Sequence, residues 1–597
     1  MLALRFSWLI VLAKVTPFTQ ALDIVSHGDS DVPTLNLPWG RYEGHPFPDD
    51  DNIILFENVR FGAKPLLFGA PESPSWSNSS VQPPSDGRDC IQIDISGIAN
   101  PPGGKDPTND PADSDSKTSQ DCLFLDLYVP KTILDAPQGA LAPVVVWIYG
   151  GAFAFGSKNQ LGPLYTGQSF LTASKYQTIF VAGNYRVGAY GWLAGNYMQT
   201  TETAQTNAGL YDQALLFEWV QTYINQVNGD KSQVSAYGES AGASSILHHL
   251  VREGGTVDPT FHRFGVQSPA FEWAWDNSKN GKLDAIYKNF SNLAGCGQNF
   301  DIDCLRASKN LSDANQALFD SVQKTGLFPV GPAVDDGWIK TIPTISFAAG
   351  QFWKQIDSAI ISHVSNETAS FTPEGITSEE AFNDFLGLFL PGSKLSNVRR
   401  QIAQQYNCTV LFGGDYTACI ATTIRDASFT CNTRDLYSAY PTVSYMMRYS
   451  FPLESFAYHA TDLVALFSNS VDQAVQLLAK KLSPPLAKMY ANSLINTGVA
   501  AAYQTYFAAL ALSGNPNALE LPKVAGVQPP KWTVADGSGD LLKDVLTVQI
   551  PSGQEAFVLT SDDQNGKERC AFWTKLAEEI ESSDEMHLQD PALYIEL

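Results

Sequence analysis

The chain has 597 residues, of which 44% are hydrophobic and 17% are charged, a composition typical of a globular protein with a sizeable core. Its 62 acidic residues outnumber its 38 basic residues, so the formal net charge is −24. Because such a surface repels phosphate backbones, the composition argues against nucleic acid as a partner.

The N-terminus has the pattern of a secretory signal peptide. One arginine precedes an apolar run from Phe6 to Ala13, and the small residue Ala21 suits a cleavage site. Lys14 interrupts the run far short of the roughly 20 residues that span a bilayer. We therefore predict a signal peptide over residues 1–21, a secreted extracellular protein, and no stable membrane insertion. Without an internal repeat or a clear linker, residues 22–597 are expected to form a single domain.

The cysteines and glycosylation sequons fit a secreted chain. Eight cysteines, an even number, favour disulfides in an oxidising compartment, and the absence of a Cys-x-x-Cys pair argues against zinc. We expect no metal and no cofactor. The predicted glycosylation sites are Asn78, Asn289, Asn310 and Asn407. The oligomeric state cannot be predicted.

Segments rich in β-branched or aromatic residues alternate with helical patterns along the chain. Residues 97–121 come first and form a polar, proline-rich surface loop, in which Ile98 is the one large aliphatic residue. Buried strands are then predicted over residues 143–149, 178–182, 234–237 and 359–364, and helices over residues 211–227 and 243–251. This alternation predicts an α/β fold built on a largely parallel sheet.

Ser240 lies in a Gly-x-Ser-x-Gly sequence between a predicted strand and a predicted helix. This is the context of a nucleophile elbow, in which the serine tips a strained turn and its neighbours must be small. Gly238 and Gly242 provide that room. The turn also directs the Ala241 amide at the place where an oxyanion would form. Ser240 is therefore the candidate nucleophile.

An oxyanion hole needs further backbone donors from a turn after an earlier strand. Gly150 and Gly151 follow the predicted strand over 143–149, and paired glycines leave backbone N–H groups uncovered. We therefore expect Gly151 and Ala152 to join Ala241 as the three donors.

A nucleophilic serine also requires a base and a carboxylate that orients the base, in the chain order Ser, acid, His. Glu367 follows a buried strand, at the edge where open α/β sheets place their sites, and is the candidate acid. The alternatives are Asp335, Asp336 and Glu374. The candidate base is His459, in a loop that leads into a helix.

Other histidines suit the base role less well. His363 is the main rival to His459, but it precedes Glu367 and would break the chain order. His248 and His249 lie about eight residues along the helix that follows Ser240, roughly 12 Å away, and are expected to be ordinary helix residues. His587 lies in an acidic tail and is expected to be solvated.

Five segments together resemble the type-B carboxylesterase/lipase family, which includes cholinesterases and secreted fungal lipases. These segments are residues 56–61, 121–123, 184–188, 207–213 and 238–242, and the resemblance covers about residues 35–580. It implies the α/β-hydrolase fold, with a large, mostly parallel central sheet flanked by helices and long loop insertions. It also implies Ser240 as nucleophile, Glu367 as acid and His459 as base.

The same resemblance implies further residues of the site and two covalent bonds. Glu239 and Ser268 are expected beside the triad, and the disulfides Cys90–Cys122 and Cys296–Cys304 match the family. The chain departs from the family pattern at Ala152 and Thr368, where glycine is usual, and by a sequon at Asn366. A glycan on Asn366 would block the cleft, so that sequon is expected to stay empty.

The sequence therefore predicts a secreted serine hydrolase that cleaves carboxylic esters through an acyl-enzyme. Because the loop over 97–121 has little apolar surface with which to bind a lipid interface, soluble short- and medium-chain esters are favoured as small-molecule substrates. The alternatives are a true lipase that acts on triglycerides or sterol esters and a non-catalytic binding module. The aromatic run 271–275 either lines the acyl pocket or packs in the core.

Overall fold

The computed structural model describes residues 32–84, 87–94, 118–137, 139–160, 165–322, 327–479, 482–549 and 555–584. The predicted signal peptide over 1–21, most of the predicted loop over 97–121, and His587 lie outside these residues. None of the helices in the described ranges is both long enough and apolar enough to cross a membrane.

The four strands predicted from apolar, β-branched runs are present, with ends shifted by at most five residues. The strands of the described residues are β1 Thr34–Leu37, β2 Gly40–Glu43, β3 His45–Phe47, β4 Asp50–Arg60, β5 Asp89–Cys90, β6 Thr118–Ser119, β7 Phe124–Pro130, β8 Ala142–Ile148, β9 Ile179–Gly183, β10 Gly229–Glu239, β11 Arg263–Gln267, β12 Ser358–Val364, β13 Ser444–Tyr449, β14 Leu542–Val548 and β15 Phe557–Asp562.

Helices fill most of the connections between strands. They are α1 Lys131–Leu134, α2 Gln168–Ala173, α3 Ala189–Trp192, α4 Asn196–Thr200, α5 Ala208–Tyr223, α6 Ala241–Leu250, α7 Lys282–Leu293, α8 Ile302–Ala307, α9 Leu311–Asp320, α10 Pro343–Ala348, α11 Glu379–Phe389, α12 Ser396–Gln405, α13 Cys408–Leu411, α14 Tyr416–Arg425, α15 Cys431–Ala439, α16 Asp462–Phe467, α17 Val471–Leu478, α18 Pro484–Asn496, α19 Val499–Ser513 and α20 Lys567–Asp584.

Eleven strands form the central sheet, in the order β15-β14-β13-β12-β11-β10-β8-β9-β7-β4-β3. The pairings from β14 through β13, β12, β11, β10 and β8 to β9 are parallel, whereas those at the two edges are antiparallel. The prediction of a large, mostly parallel sheet is therefore confirmed.

Helices cover both faces of this sheet. The Tyr237 hydroxyl of β10 donates to the Phe507 carbonyl of α19, whereas a Cβ on the next residue, Gly238, would meet Gly242 of α6 at 2.7 Å. Because successive strand residues point to opposite faces, α19 and α6 lie on opposite sides of the sheet. Strands β8 and β12 of this sheet are buried along their whole length, as expected for continuous apolar runs covered on both faces.

Parallel strands end at one edge, and this edge gathers the candidate residues. The chain leaves β10 at Ser240, β12 shortly before Glu367, and β13 ten residues before His459. The turn that contains Gly151 and Ala152 follows β8, which pairs directly with β10. Four separate segments of the sequence therefore converge at the carboxyl end of the sheet.

Candidate active site

Ser240 lies at the tip of a sharp turn between β10 and α6. Its φ of +56° and ψ of −124° are unusual for a residue with a side chain, and the strain is typical of a functional turn. Gly242 makes the turn possible, because a Cβ there would overlap the Ile148 carbonyl oxygen and lie 2.7 Å from that of Tyr149. The elbow geometry therefore depends on a close approach of α6 to β8.

The structure brings Ser240, His459 and Glu367 into one hydrogen-bonded chain. His459 Nε2 is 2.7 Å from Ser240 Oγ, and His459 Nδ1 is 2.7 Å from Glu367 Oε2. With a neutral imidazole, Ser240 donates to Nε2 and Nδ1–H donates to Glu367. The other oxygen of the fully buried Glu367 accepts from the Val364 N–H at 2.9 Å.

The acid turn and the histidine loop are fastened to each other. The Asn366 N–H donates to the Ala457 carbonyl at 3.0 Å, and the Asn366 side-chain amide donates to the Ser455 carbonyl at 3.1 Å. These bonds hold His459 over the carboxyl end of the sheet, with Glu367 behind it. Thr368, where the family usually has glycine, is buried in the short 3₁₀ helix that begins at Glu367. Its side chain leaves the hydrogen bond between Glu367 and His459 intact.

The turn after β8 holds two candidate donors close to Ser240, and the third, Ala241, directly follows the serine. Gly151 and Ala152 both have positive φ, 113° and 53°, and a Cβ on the preceding Gly150 would lie 2.9 Å from that of Ser240. Within the described parts of the chain, the N–H groups of Gly151, Ala152 and Ala241 donate to no protein acceptor. Uncommitted amides beside a serine are what an oxyanion hole requires.

Several charges act on His459. Burial lowers the pKa of this histidine, but the negative charges of Glu239 and Glu367 together raise it by more. The net pKa therefore lies above the ordinary value of 6.5. Glu239 Oε1 lies 3.2 Å from His459 Nε2. The expected position of Glu239 beside the triad is thus the one in the structure.

Ser268 and Gln267 lie below the triad. Ser268 has a φ of +50° and is fully buried, and its hydroxyl has no hydrogen-bond partner among the described residues. Gln267 donates from its amide to Asp462 at 2.7 Å. Burial raises the pKa of Asp462 to about 6, with the Gln267 bond opposing that shift. The sequence patterns did not identify Asp462 as a residue of the site. Its position only three residues after His459 is the one signal that could have done so.

The structure separates the rival acids from His459. Asp335 is buried, but it accepts from the Asn207 side chain and the Ile339 backbone, while Asp336 and Glu374 are exposed. The rival base His363 is fully buried, and its Nε2 lies 2.7 Å from Asp562 Oδ2.

The two histidines of α6 are structural. Both are buried, and burial lowers the pKa of His248 to about 4 and that of His249 to about 3. The His248 ring bonds the Ser244 carbonyl one turn earlier, and the His249 ring bonds Gln213.

A cleft with about 870 Å³ of empty volume opens beside Ser240. Phe271 and Trp273 line it, whereas Trp275 of the same run packs in the core. Phe371 and Phe429 also line the cleft, and their rings lie 5.2 and 5.1 Å from the His459 ring. The aromatic run is therefore divided between the wall of the cleft and the core.

All eight cysteines are paired. The disulfides are Cys90–Cys122, Cys296–Cys304, Cys408–Cys419 and Cys431–Cys570. The first two are those expected from the resemblance. Among the predicted glycosylation sites, Asn310 and Asn407 are exposed, and Asn78 and Asn289 are partly buried. Within the described residues, no group of three or more His, Cys, Asp or Glu side chains is arranged to hold a metal ion.

Known proteins have a similar architecture or a similar sequence. The crystal structure of EstA from Aspergillus niger superposes with a TM-score of 0.72 at 24% identity, covering 92% of this chain and 99% of that one, which supports the fold alone. A secreted lipase from Arthroderma benhamiae is 35% identical over 465 residues, 76% of this chain and 83% of that protein. Carboxylesterase patB from Aspergillus clavatus is 28% identical over 593 residues, 92% of this chain and 97% of that protein.

The sheet and its flanking helices form an α/β-hydrolase fold with a serine, a histidine and a carboxylate in contact at its carboxyl edge. The model of the carboxylesterase family matches residues 31–573, and the chain belongs to that family. It is accordingly a carboxylic ester hydrolase.

Proposed function

We propose that Ser240, His459 and Glu367 are the catalytic triad and hydrolyse esters through an acyl-enzyme. The observation that carries this proposal is the continuous hydrogen-bonded chain from Ser240 Oγ through the imidazole to the buried carboxylate, with 2.7 Å at both contacts. Ser240 Oγ attacks the ester carbonyl carbon while His459 Nε2 takes its proton, and Glu367 stabilises the imidazolium.

The intermediate then breaks down in the usual order. The tetrahedral oxyanion accepts hydrogen bonds from the N–H groups of Gly151, Ala152 and Ala241, which have no competing acceptor in the described protein. As the carbonyl re-forms, the C–O bond to the alcohol breaks and the alcohol takes the proton from His459 Nε2. Water, deprotonated by the same nitrogen, then attacks the acyl carbon and forms a second oxyanion. As the carbonyl re-forms, the C–Oγ bond breaks, Ser240 Oγ takes the proton back from His459 Nε2, and the acid is released.

Labelling with an organophosphonate tests the nucleophile. The Ser240→Ala protein should not be labelled, and its kcat should fall by roughly 10⁴-fold or more. Ser244→Ala is the matched control, because this serine lies one turn along α6 and its hydroxyl forms no hydrogen bond among the described residues. Labelling that persists in Ser240→Ala but not in Ser244→Ala would contradict the assignment.

We further propose that the mature protein is a single secreted domain that acts on dissolved esters of short and medium chain length. The N-terminal sequence and the secreted relative support secretion. The substrate preference rests on the sequence over 97–121, which offers Ile98 as its one large aliphatic side chain. Desolvating such a loop at an oil surface costs free energy without recovering it from apolar burial.

A true lipase is the second candidate, favoured by the name of the relative from Arthroderma benhamiae and by the aromatic lining of the cleft. Rates on p-nitrophenyl esters of increasing length, beside a triglyceride emulsion, separate the two. An esterase saturates below the solubility limit of its substrate. A jump in rate when droplets form, with turnover of long-chain triglyceride, would favour the lipase.

A further inference from the structure

Two charged side chains lie in the otherwise apolar wall of the cleft beside Ser240. Lys282 is the first residue of α7, and Glu272 belongs to the segment between β11 and α7. The rest of the described lining is neutral and mostly aromatic or aliphatic.

These two charges are not neutralised by a direct contact. Glu272 Oε1 accepts from the Phe328 N–H at 2.9 Å, and the Lys282 N–H donates to Asp276 at 2.7 Å. Among the described residues, the Lys282 ammonium has no hydrogen-bond partner and no carboxylate oxygen within 4.0 Å, so it does not contact Glu272.

The electrostatics agree with this separation. Burial raises the pKa of the Glu272 carboxyl to about 7, and the charge of Lys282 opposes the shift only in part. Burial likewise lowers the pKa of Lys282, against the charges of Glu272 and Asp276. Each charge therefore acts on the other although no N···O contact of 4.0 Å or less joins the two groups.

An unsubstituted alkyl chain is a poor occupant of this end of the cleft. It would remove water from an ammonium and a carboxyl group without offering either a hydrogen bond, and unpaired buried charges are costly. A hydroxyl group fits both partners, because its oxygen accepts from Lys282 and its proton is donated to Glu272.

We propose that the cleft selects esters whose chain carries an oxygen-bearing polar group, foremost a hydroxyl, bound between Lys282 and Glu272. This inference rests on the proposed function, since it assumes that the ester is cleaved at Ser240. The polar group belongs either to the acyl chain or to the alcohol, and the two origins give the same chemistry at the cleft wall.

Matched substrates measure the preference. In one arm, p-nitrophenyl alkanoates of increasing length are compared with the ω-hydroxy and ω-methoxy esters of equal length. In the other arm, acetates of alkanols are compared with monoacetates of the corresponding diols, with acid release followed by titration. The readout is the ratio of kcat/KM for the hydroxylated substrate to that for the plain one.

For wild type, this ratio should peak at about tenfold or more at one chain length, in one of the two arms. Lys282→Met should bring the ratio near one, because the chain volume stays while the donor goes. Glu272→Gln should lower the kcat/KM of the hydroxy ester, relative to that of the plain ester, more than it lowers the corresponding value for the methoxy ester. The reason is that the methoxy group has no proton to donate to Glu272. Lys288→Met is the matched control, since that lysine lies on the same helix and bonds Asn280 outside the cleft.

The outcomes separate the inference from the function beneath it. If Glu272 and Lys282 only support the fold, their variants lose stability and slow all esters alike, with the ratio unchanged, and the inference is wrong. A wild-type ratio near one at every length in both arms would overturn it too, while Ser240-dependent hydrolysis would still stand. Wild-type protein that cleaves none of the esters would overturn the proposed function and the inference together.

Discussion

Asp562→Asn is expected to destabilise the fold without removing the catalytic chemistry. Asp562 and His363 form an ion pair with a 2.7 Å contact, and both side chains are 0% exposed. Removing one partner of a buried pair typically costs about 3–5 kcal/mol, because the other charge stays buried and unpaired. Over 597 residues this corresponds to a melting temperature lower by about 2–4 °C.

The pH dependence of this loss follows from the two pKa shifts. Although burial opposes it, Asp562 raises the pKa of His363 above 6.5, so this contribution is complete below pH 6.5 and is lost as the pH rises through the folded pKa. Despite its burial, the pKa of Asp562 is lowered below 3.8 by His363, so its contribution is complete above that pH and is lost in stronger acid. The difference between wild type and variant should be largest between about pH 4 and 6.5.

Scanning fluorimetry at pH 5.5 and pH 8.5, with organophosphonate labelling at 20 °C, checks both parts. Asp563→Asn is the control, because this neighbour is 74% exposed and its ion pair with Arg448 contributes about 1 kcal/mol or less. An Asp562→Asn protein that melts like the control would refute the argument. So would a variant that keeps its melting temperature but is no longer labelled, since that would place the His363 pair in catalysis.

Three further outcomes follow from the site. Glu239→Gln removes a negative charge beside His459, so the acid limb of the kcat/KM profile should move to lower pH; an unmoved limb would show that Glu239 does not set this pKa. Glu367→Gln should stay folded while kcat falls by about 10³–10⁴-fold, and near wild-type turnover would mean another acid. Replacing Cys90 and Cys122 by Ala should lower the free energy of unfolding by about 2–5 kcal/mol, measured with denaturant. An unchanged midpoint would show that this disulfide does not stabilise the fold.

Local sequence patterns predicted the parts of the site that a single turn defines. The elbow at Ser240 and the glycine turn at Gly151 follow directly from a strand, small residues and a helix, so a few residues carry the whole signal. Glu367 and His459 needed more, namely a chain order and a family resemblance, because 92 residues separate them. The structure adds the Asn366 bonds that tie the acid turn to the histidine loop.

Pairs formed by the tertiary fold had no such signal. Cys431 lies 139 residues from Cys570, and Glu272 and Lys282 are brought to the wall of the same cleft. Charge and type were visible in the sequence, but not distance or burial. The family resemblance does not predict this distance or burial either. What distinguishes Glu272 and Lys282 is that they line the same cleft without forming an ion pair.

Strand β12 shows why residue type alone could not choose the base. It carries His363 and leads into Glu367, so two histidine–carboxylate pairs meet at one end of the sheet, and both have contacts of 2.7 Å. Both ring nitrogens of His363 face acceptors, the Val364 carbonyl and Asp562, so both donate and no lone pair remains to take a proton. His459 Nδ1 faces the Glu367 carboxylate at 2.7 Å, whereas Nε2 faces the Ser240 hydroxyl at 2.7 Å, with Glu239 Oε1 farther away at 3.2 Å. Because the hydroxyl can donate to Nε2, a neutral imidazole can accept the serine proton there. The difference between a structural and a reactive histidine is therefore whether one ring nitrogen faces a hydroxyl donor, which only the folded chain determines.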